Sequence, residues 1–240
     1  LAGVTVNLQV NAGLSGEASG DVLASIENLL GSGFADSLVG DGAANDLNGG
    51  EGADTLVGAA GNDTLGGGGG DDVLIGGAGG DSLLGGAGSD IADYSGSAVA
   101  VSIDLATGTG SGGDAQGDVF SDIEGLTGSG LGDTLRGSAA ANVLNGAAGD
   151  DLLVGGAGAD TLTGGTGRDM AEYGGSALGV TIDLINGVGS NGDAQGDIIS
   201  GIEDVSGSAH ADSIRGDGAN NLLVGDGGND TLSGGLGDDQ

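Results

Sequence analysis

A chain of 240 residues with 61 glycines, no tryptophan, two phenylalanines and two tyrosines cannot fill an ordinary globular core. Its 36 acidic residues face three arginines and no lysine, a formal charge of -33, which excludes nucleic acid and anionic membrane surfaces as simple electrostatic partners. The absence of cysteine excludes disulfides and thiolate metal sites, and the single His210 excludes a histidine cluster, so any metal must be a hard cation held by oxygen.

In chain order, residues 1–30 carry the runs GVTVNL (3–8), GEASGD (16–21) and SIENLLGS (25–32). From Gly31 a nine-residue unit takes over, with further units opening at Gly40, Gly49, Gly58, Gly67, Gly76 and Gly85. Residues 94–127 repeat the first segment as AVSIDL, GDAQGD and DIEGLTGS, and five more units open at Gly128, Gly137, Gly146, Gly155 and Gly164. Residues 173–206 repeat it again as GVTIDL, GDAQGD and GIEDVSGS, followed by units at Gly207, Gly216, Gly225 and Gly234, the last cut short at Gln240. The chain therefore reads as three tandem modules, 1–93, 94–172 and 173–240, each a spacer followed by nonapeptides, and is expected to be a piece of a longer polypeptide.

The unit has the form Gly-Gly-x-Gly-x-Asp-x-hydrophobic-x. Position six reads Asp36, Asn45, Asp54, Asp63, Asp72, Asp81 and Asp90, then Asp133, Asn142, Asp151, Asp160 and Asp169, then Asp212, Asn221, Asp230 and Asp239. Position eight is Leu or Ile throughout, except that Ala92 and Ala171 close their blocks. Glycine-rich sequence is ordinarily flexible linker. A linker has no reason to place one apolar side chain every nine residues, whereas a stacked coil needs one inward residue per short strand.

Corresponding spacer positions recur 97 and then 79 residues apart, spacings that differ by 18, or two units. If successive units lie on alternate sheets of a flattened coil, a change of 18 keeps every strand on its own side, so the modules vary by whole coils. The β-branched runs Val4-Thr5-Val6, Val101-Ser102-Ile103 and Val180-Thr181-Ile182 predict spacer strands longer than the repeat strands, continuing the stack. Residues 22–30, 119–127 and 198–206 keep the nine-residue phase as degenerate units, with Glu27, Glu124 and Glu203 at position six. No capped helical period appears, so the fold class is all-β with almost no helix.

Turns of units n and n+2 then stack at about 4.8 Å, and a cation between them can take carboxylates from both plus backbone carbonyls. Calcium suits such a site because it accepts six to eight oxygens in flexible geometry, while magnesium demands a tight octahedron. The pairs expected are Asp36–Asp54, Asn45–Asp63, Asp54–Asp72, Asp63–Asp81 and Asp72–Asp90; Asp133–Asp151, Asn142–Asp160 and Asp151–Asp169; and Asp212–Asp230 and Asn221–Asp239, about ten inter-turn sites. At about ten times its Kd each ion contributes about 1.4 kcal/mol. Ten together reach on the order of 14 kcal/mol, the whole stability of an ordinary domain.

These nonapeptides resemble the RTX (repeats-in-toxin) family of secreted bacterial proteins, whose GGxGxDxUx repeats form a parallel β-roll, a β-solenoid loaded with Ca2+. The resemblance covers the three repeat blocks. It implies secretion through a type I exporter, folding outside the cell where calcium is plentiful, and a secreted or cell-surface location. Asn at position six of the second unit of each block, and Ser32, Ala147 and His210 in place of glycine, depart from the motif and imply weaker sites there.

Three modules without a catalytic constellation point to a non-enzymatic extracellular scaffold of the adhesin, surface-layer or filament type, with calcium as its partner and self-association as a further possibility. The alternative is the calcium-binding tail of a secreted enzyme such as a lipase, protease or alginate epimerase. His210 takes the place of Phe34 and Leu131 and reads as a turn side chain. The three spacer glutamates suit calcium or structural roles better than paired-acid catalysis. Asp21, Asp118 and Asp197, with Asp114 and Asp193, are candidate spacer ligands, and Tyr94 and Tyr173 are expected to cap the core. No bilayer-length apolar run is present, so direct membrane insertion is not expected.

Overall fold

A strand that offers one inward side chain can bury it only by stacking, and every second nonapeptide here lands on the same sheet. The computed structural model describes residues 2–240, which pack as two compact units, one ending at Leu126 and the other Thr127–Gln240.

In the first unit one sheet runs in parallel through Thr5–Asn7, Ser37–Val39, Thr55–Ala60, Val73–Ala78 and Ile91–Asp93, and the other through Asn28–Leu30, Asp46–Glu51, Thr64–Gly69, Ser82–Ala87 and Val119–Ser121. Within the block the register is 18 residues: Leu38 faces Leu56 and Leu56 faces Leu74 on one sheet, while Leu47, Leu65 and Leu83 do the same on the other. These leucines are no more than 1% exposed, which is the thin continuous core that the spacing requires. In the second unit Val143–Ala148 and Thr161–Thr166 continue into Ile198–Ser200, while Thr134–Arg136, Leu152–Val154, Met170–Glu172, Asp204–Ser206 and Leu222–Val224 form the opposing ladder. Leu135, Leu144, Leu153 and Leu162 are fully buried; near the end of the chain Leu232 is 45% exposed.

The spacers join the stack by substitution. Val119 pairs with Ser82 and Ile198 with Thr161, so the strand of a degenerate unit sits where the next nonapeptide would have sat. Thr5–Asn7 and Thr181–Asp183 run on in parallel into Ser37–Val39 and Ser213–Arg215, with Ser37 and Ser213 donating their N–H groups to the carbonyls of Val4 and Val180 just before those strands.

One expectation changes. The spacer strands Thr5–Asn7, Ser102–Asp104 and Thr181–Asp183 have three residues and are not longer than the repeat strands, which reach six. Position-one to position-three glycines and alanines have little or no side chain to separate the turn edges, so pairing extends past the leucine, as in Ala59 with Gly77. Each short spacer strand instead folds back on an antiparallel partner: Thr5–Asn7 on Ala12–Ser15, Ser102–Asp104 on Thr109–Ser111, and Thr181–Asp183 on Val188–Ser190. Among the described residues there is no α-helix, only the 3-10 turns Gly16–Ala18, Gly113–Ala115 and Gly192–Ala194.

Candidate metal centre

Position six stands where one turn meets the turn two units away. Its backbone N–H donates to Oδ1 of the Asp 18 residues on: Asp36 to Asp54 (2.7 Å), Asn45 to Asp63 (2.7 Å), Asp54 to Asp72, Asp63 to Asp81 and Asp72 to Asp90 (2.8 Å each). The second unit continues the pattern with Asp133 to Asp151, Asn142 to Asp160 and Asp151 to Asp169, then Asp212 to Asp230 and Asn221 to Asp239. Every pair expected from the n and n+2 rule is therefore brought together. All of these residues are buried except Asp230 and Asp239, which are partly exposed.

The second oxygen separates them into classes. Oδ2 of Asp54, Asp63, Asp72, Asp81, Asp90, Asp151, Asp160 and Asp169 is buried with no hydrogen-bond partner. Leaving a buried carboxylate oxygen unmatched costs more than leaving a neutral group so. Burial pushes all eight carboxyls above their ordinary value, those of Asp72, Asp81, Asp151 and Asp160 to about 6, against the lowering effect of the N–H bonds. Neighbouring carboxylates add to the rise, as Asp90 and Asp54 do at Asp72.

The block-opening units differ. Asp36, Asp133 and Asp212 accept from the backbone N–H of Ser32, Ser129 and Ser208 through Oδ2, and from the same serines' hydroxyls through Oδ1. In the second units Oδ1 of Asn45, Asn142 and Asn221 accepts the N–H of Asp41, Ser138 and Asp217. The amides of Asn45 and Asn221 also donate to the carbonyls of Glu27 and Glu203. An amide thus supplies a donor at a place where a carboxylate would need a cation. The signal was present in the sequence as Gly-Ser at each block opening and Asn one unit later.

Around each orphan oxygen the glycine at position one leaves a cradle. A Cβ on Gly49 would run into Asp54 Oδ2 and the Gly67 carbonyl, and on Gly58 into Asp63 Oδ2 and the Gly76 carbonyl; Gly67 and Gly146 repeat the arrangement. The donor set is a carboxylate, its stacked neighbour and main-chain carbonyls, all oxygen, which fits a hard cation such as calcium. Among the described residues no three acidic or histidine side chains converge as a closed metal cage, so main-chain oxygen is a necessary part of this donor set.

The chain's own cations do not reach this ladder. Arg168 forks onto Asp204 at 2.7 and 2.9 Å, Arg136 meets Glu172 at 3.4 Å, and Arg215 meets Asp183 at 3.4 Å, all through half-exposed guanidinium groups.

A model of the RTX calcium-binding nonapeptide repeat, four copies long, matches residues 30–65, 66–96, 127–162, 136–171 and 206–240, well over half of the chain. The chain belongs to this RTX family. No curated protein sequence matches it. Among solved structures, the extracellular lipase LipA from Serratia marcescens is similar over 80% of this chain at 16% identity, with a TM-score of 0.25; the matched region spans 32% of that chain. RTX nonapeptides bind calcium, and in this chain they are stacked as a parallel β-roll.

The spacer residues divide as well. Asp118 and Asp197 are buried, and their Oδ1 atoms accept the N–H of Asp81 (2.7 Å) and Asp160 (3.0 Å) as a position-six Asp would. Their Oδ2 atoms are taken by the hydroxyls of Tyr94 (2.5 Å) and Tyr173 (2.8 Å). The tyrosines are 2% exposed, so they do close the core, and Tyr94 also packs edge-on against Phe120 with ring centroids 6.3 Å apart. Asp21 and His210 are exposed.

Proposed function

We propose that this chain is a calcium-dependent, non-catalytic β-roll segment of a secreted or cell-surface protein, which folds on meeting extracellular calcium and serves as a stiff scaffold. The observation that carries the reading is the ladder of eight buried, partnerless Asp Oδ2 atoms. Desolvated carboxylates stacked this way oppose folding, and eight divalent cations in the glycine cradles would turn that opposition into attraction. Asp54, Asp63, Asp72, Asp81, Asp90, Asp151, Asp160 and Asp169 are its principal ligands. Asp36, Asp133 and Asp212, the asparagines Asn45, Asn142 and Asn221, and the terminal Asp230 and Asp239 complete the inter-turn pairs.

The three sequence modules, 1–93, 94–172 and 173–240, are the units by which such an array lengthens, in steps of whole 18-residue coils. Parallel ladders hydrogen-bonded at every coil supply stiffness, and a calcium-poor cytosol keeps the chain open for export. Small-angle scattering tests the switch. With a chelator the radius of gyration should approach the ~54 Å of an unfolded chain of this length, and it should contract in one cooperative step on adding calcium. A radius independent of calcium would remove the reading.

A further inference from the structure

The carboxylate ladder continues beyond the last nonapeptide of a block. Asp90 and Asp169 belong to the closing units of the first and second blocks; both are completely buried, and both carry a partnerless Oδ2. The segment stacked on each is the spacer that follows. The Asp90 N–H donates to Oε2 of Glu124 at 3.0 Å, and the Asp169 N–H to Oε2 of Glu203 at 3.0 Å, just as N–H groups inside the block donate to the Asp of the next coil.

The carbonyl side of the cradle is reproduced too. A Cβ on Gly85 would run into the Asp122 carbonyl and Asp90 Oδ2, and a Cβ on Gly164 into the Gly201 carbonyl and Asp169 Oδ2. Asp122 and Gly201 present those carbonyls from left-handed backbone, with φ of +53 and +59. The two junctions lie in different compact units and have different neighbouring sequence, yet share the same glutamate, the same turn conformation and the same orphan oxygen.

Glu124 and Glu203 both fall outside the residues matched by the nonapeptide model. We propose that Asp90 with Glu124, and Asp169 with Glu203, each hold a divalent cation of the calcium class, at sites where a spacer glutamate and a spacer carbonyl replace those of a nonapeptide. The proposal rests on the calcium reading of the ladder. It makes each spacer a calcium-bound continuation of the coil that locks one block to the segment leading into the next. Asp118 and Asp197 do not share this role, because a tyrosine hydroxyl already fills the second oxygen of each.

Equilibrium dialysis against calcium counts the ions held by the full chain and by E124Q/E203Q, whose amides keep the side-chain length and can still accept the Asp N–H without supplying charge. The double variant should hold two ions fewer than the parent at a calcium concentration that saturates the rest, with its β signal unchanged. E124A/E203A removes the ligands outright and should show the same deficit; if it does not fold, the glutamine pair decides. An unaltered ion count in the glutamine pair overturns the junction sites and leaves the nonapeptide ladder standing. A parent chain that binds no calcium overturns both.

Discussion

Truncation of Leu65 to Ala measures how many ions share the work of folding. Leu65 is fully buried, in register with Leu47 and Leu83, at the middle of the first block. Leu→Ala in such a core costs about 2–5 kcal/mol through lost transfer energy and the residual cavity. If folding is coupled to ion uptake, the loss is met by more calcium, because each ion contributes as RT times the logarithm of its free concentration. With eight ions, one for each orphan oxygen, a loss of about 3 kcal/mol is offset by a rise in the calcium midpoint of about twofold. Leu65→Ala should therefore move the midpoint of a calcium titration, followed by far-UV circular dichroism, about twofold without loss of steepness. The same loss shared by only two ions would move it about thirteenfold, so a shift of ten or more would refute collective loading. An unmoved midpoint would refute the buried leucine ladder itself.

Other substitutions separate the parts of the site. Gly58→Ala places a methyl group against Asp63 Oδ2 and the Gly76 carbonyl, whereas Gly42→Ala meets nothing within 4 Å; calcium titration should show a weakened or absent transition in the first and parental behaviour in the second. Tyr94→Phe removes the donor to buried Asp118 Oδ2, so chemical denaturation in saturating calcium should show a loss of about 1–3 kcal/mol; no loss would mean that this oxygen finds another partner. Burial raises the carboxyls of Asp72, Asp81, Asp151 and Asp160 from 3.8 to about 6, so the calcium-free stack binds protons that the unfolded chain has released. Its stability is thus greatest below about pH 4 and falls as the pH rises to 6. Chelated protein should show more β signal at pH 4 than at pH 7, and equal spectra at both would contradict this.

The 18-residue register, the leucine core and every position-six pairing were legible in the sequence because a strict nine-residue period leaves the coil one way to stack. The period also placed Glu124 and Glu203 at position six, where they accept N–H groups as the aspartates do. Less visible was which carboxylates lack partners. That depends on hydrogen bonds from Ser32, Ser129 and Ser208, small residues whose donors matter only once the turn has closed. The Tyr94–Asp118 and Tyr173–Asp197 bonds join residues 24 apart, a separation with no relation to the repeat. The spacer hairpins are marked in the sequence only by a short turn signal such as Asn186-Gly187, with Gly187 at φ +64. The alternation Val180-Thr181-Ile182 specifies a strand, while the turn decides where that strand ends.

Calcium added to the chelated chain at pH 7, with far-UV circular dichroism as the readout and magnesium as the control, tests the central claim most directly. A cooperative gain of β signal with calcium, and none at equal magnesium, is the result that stacked oxygen cradles predict. A β signal already present without any cation, or equal responses to both ions, would contradict it.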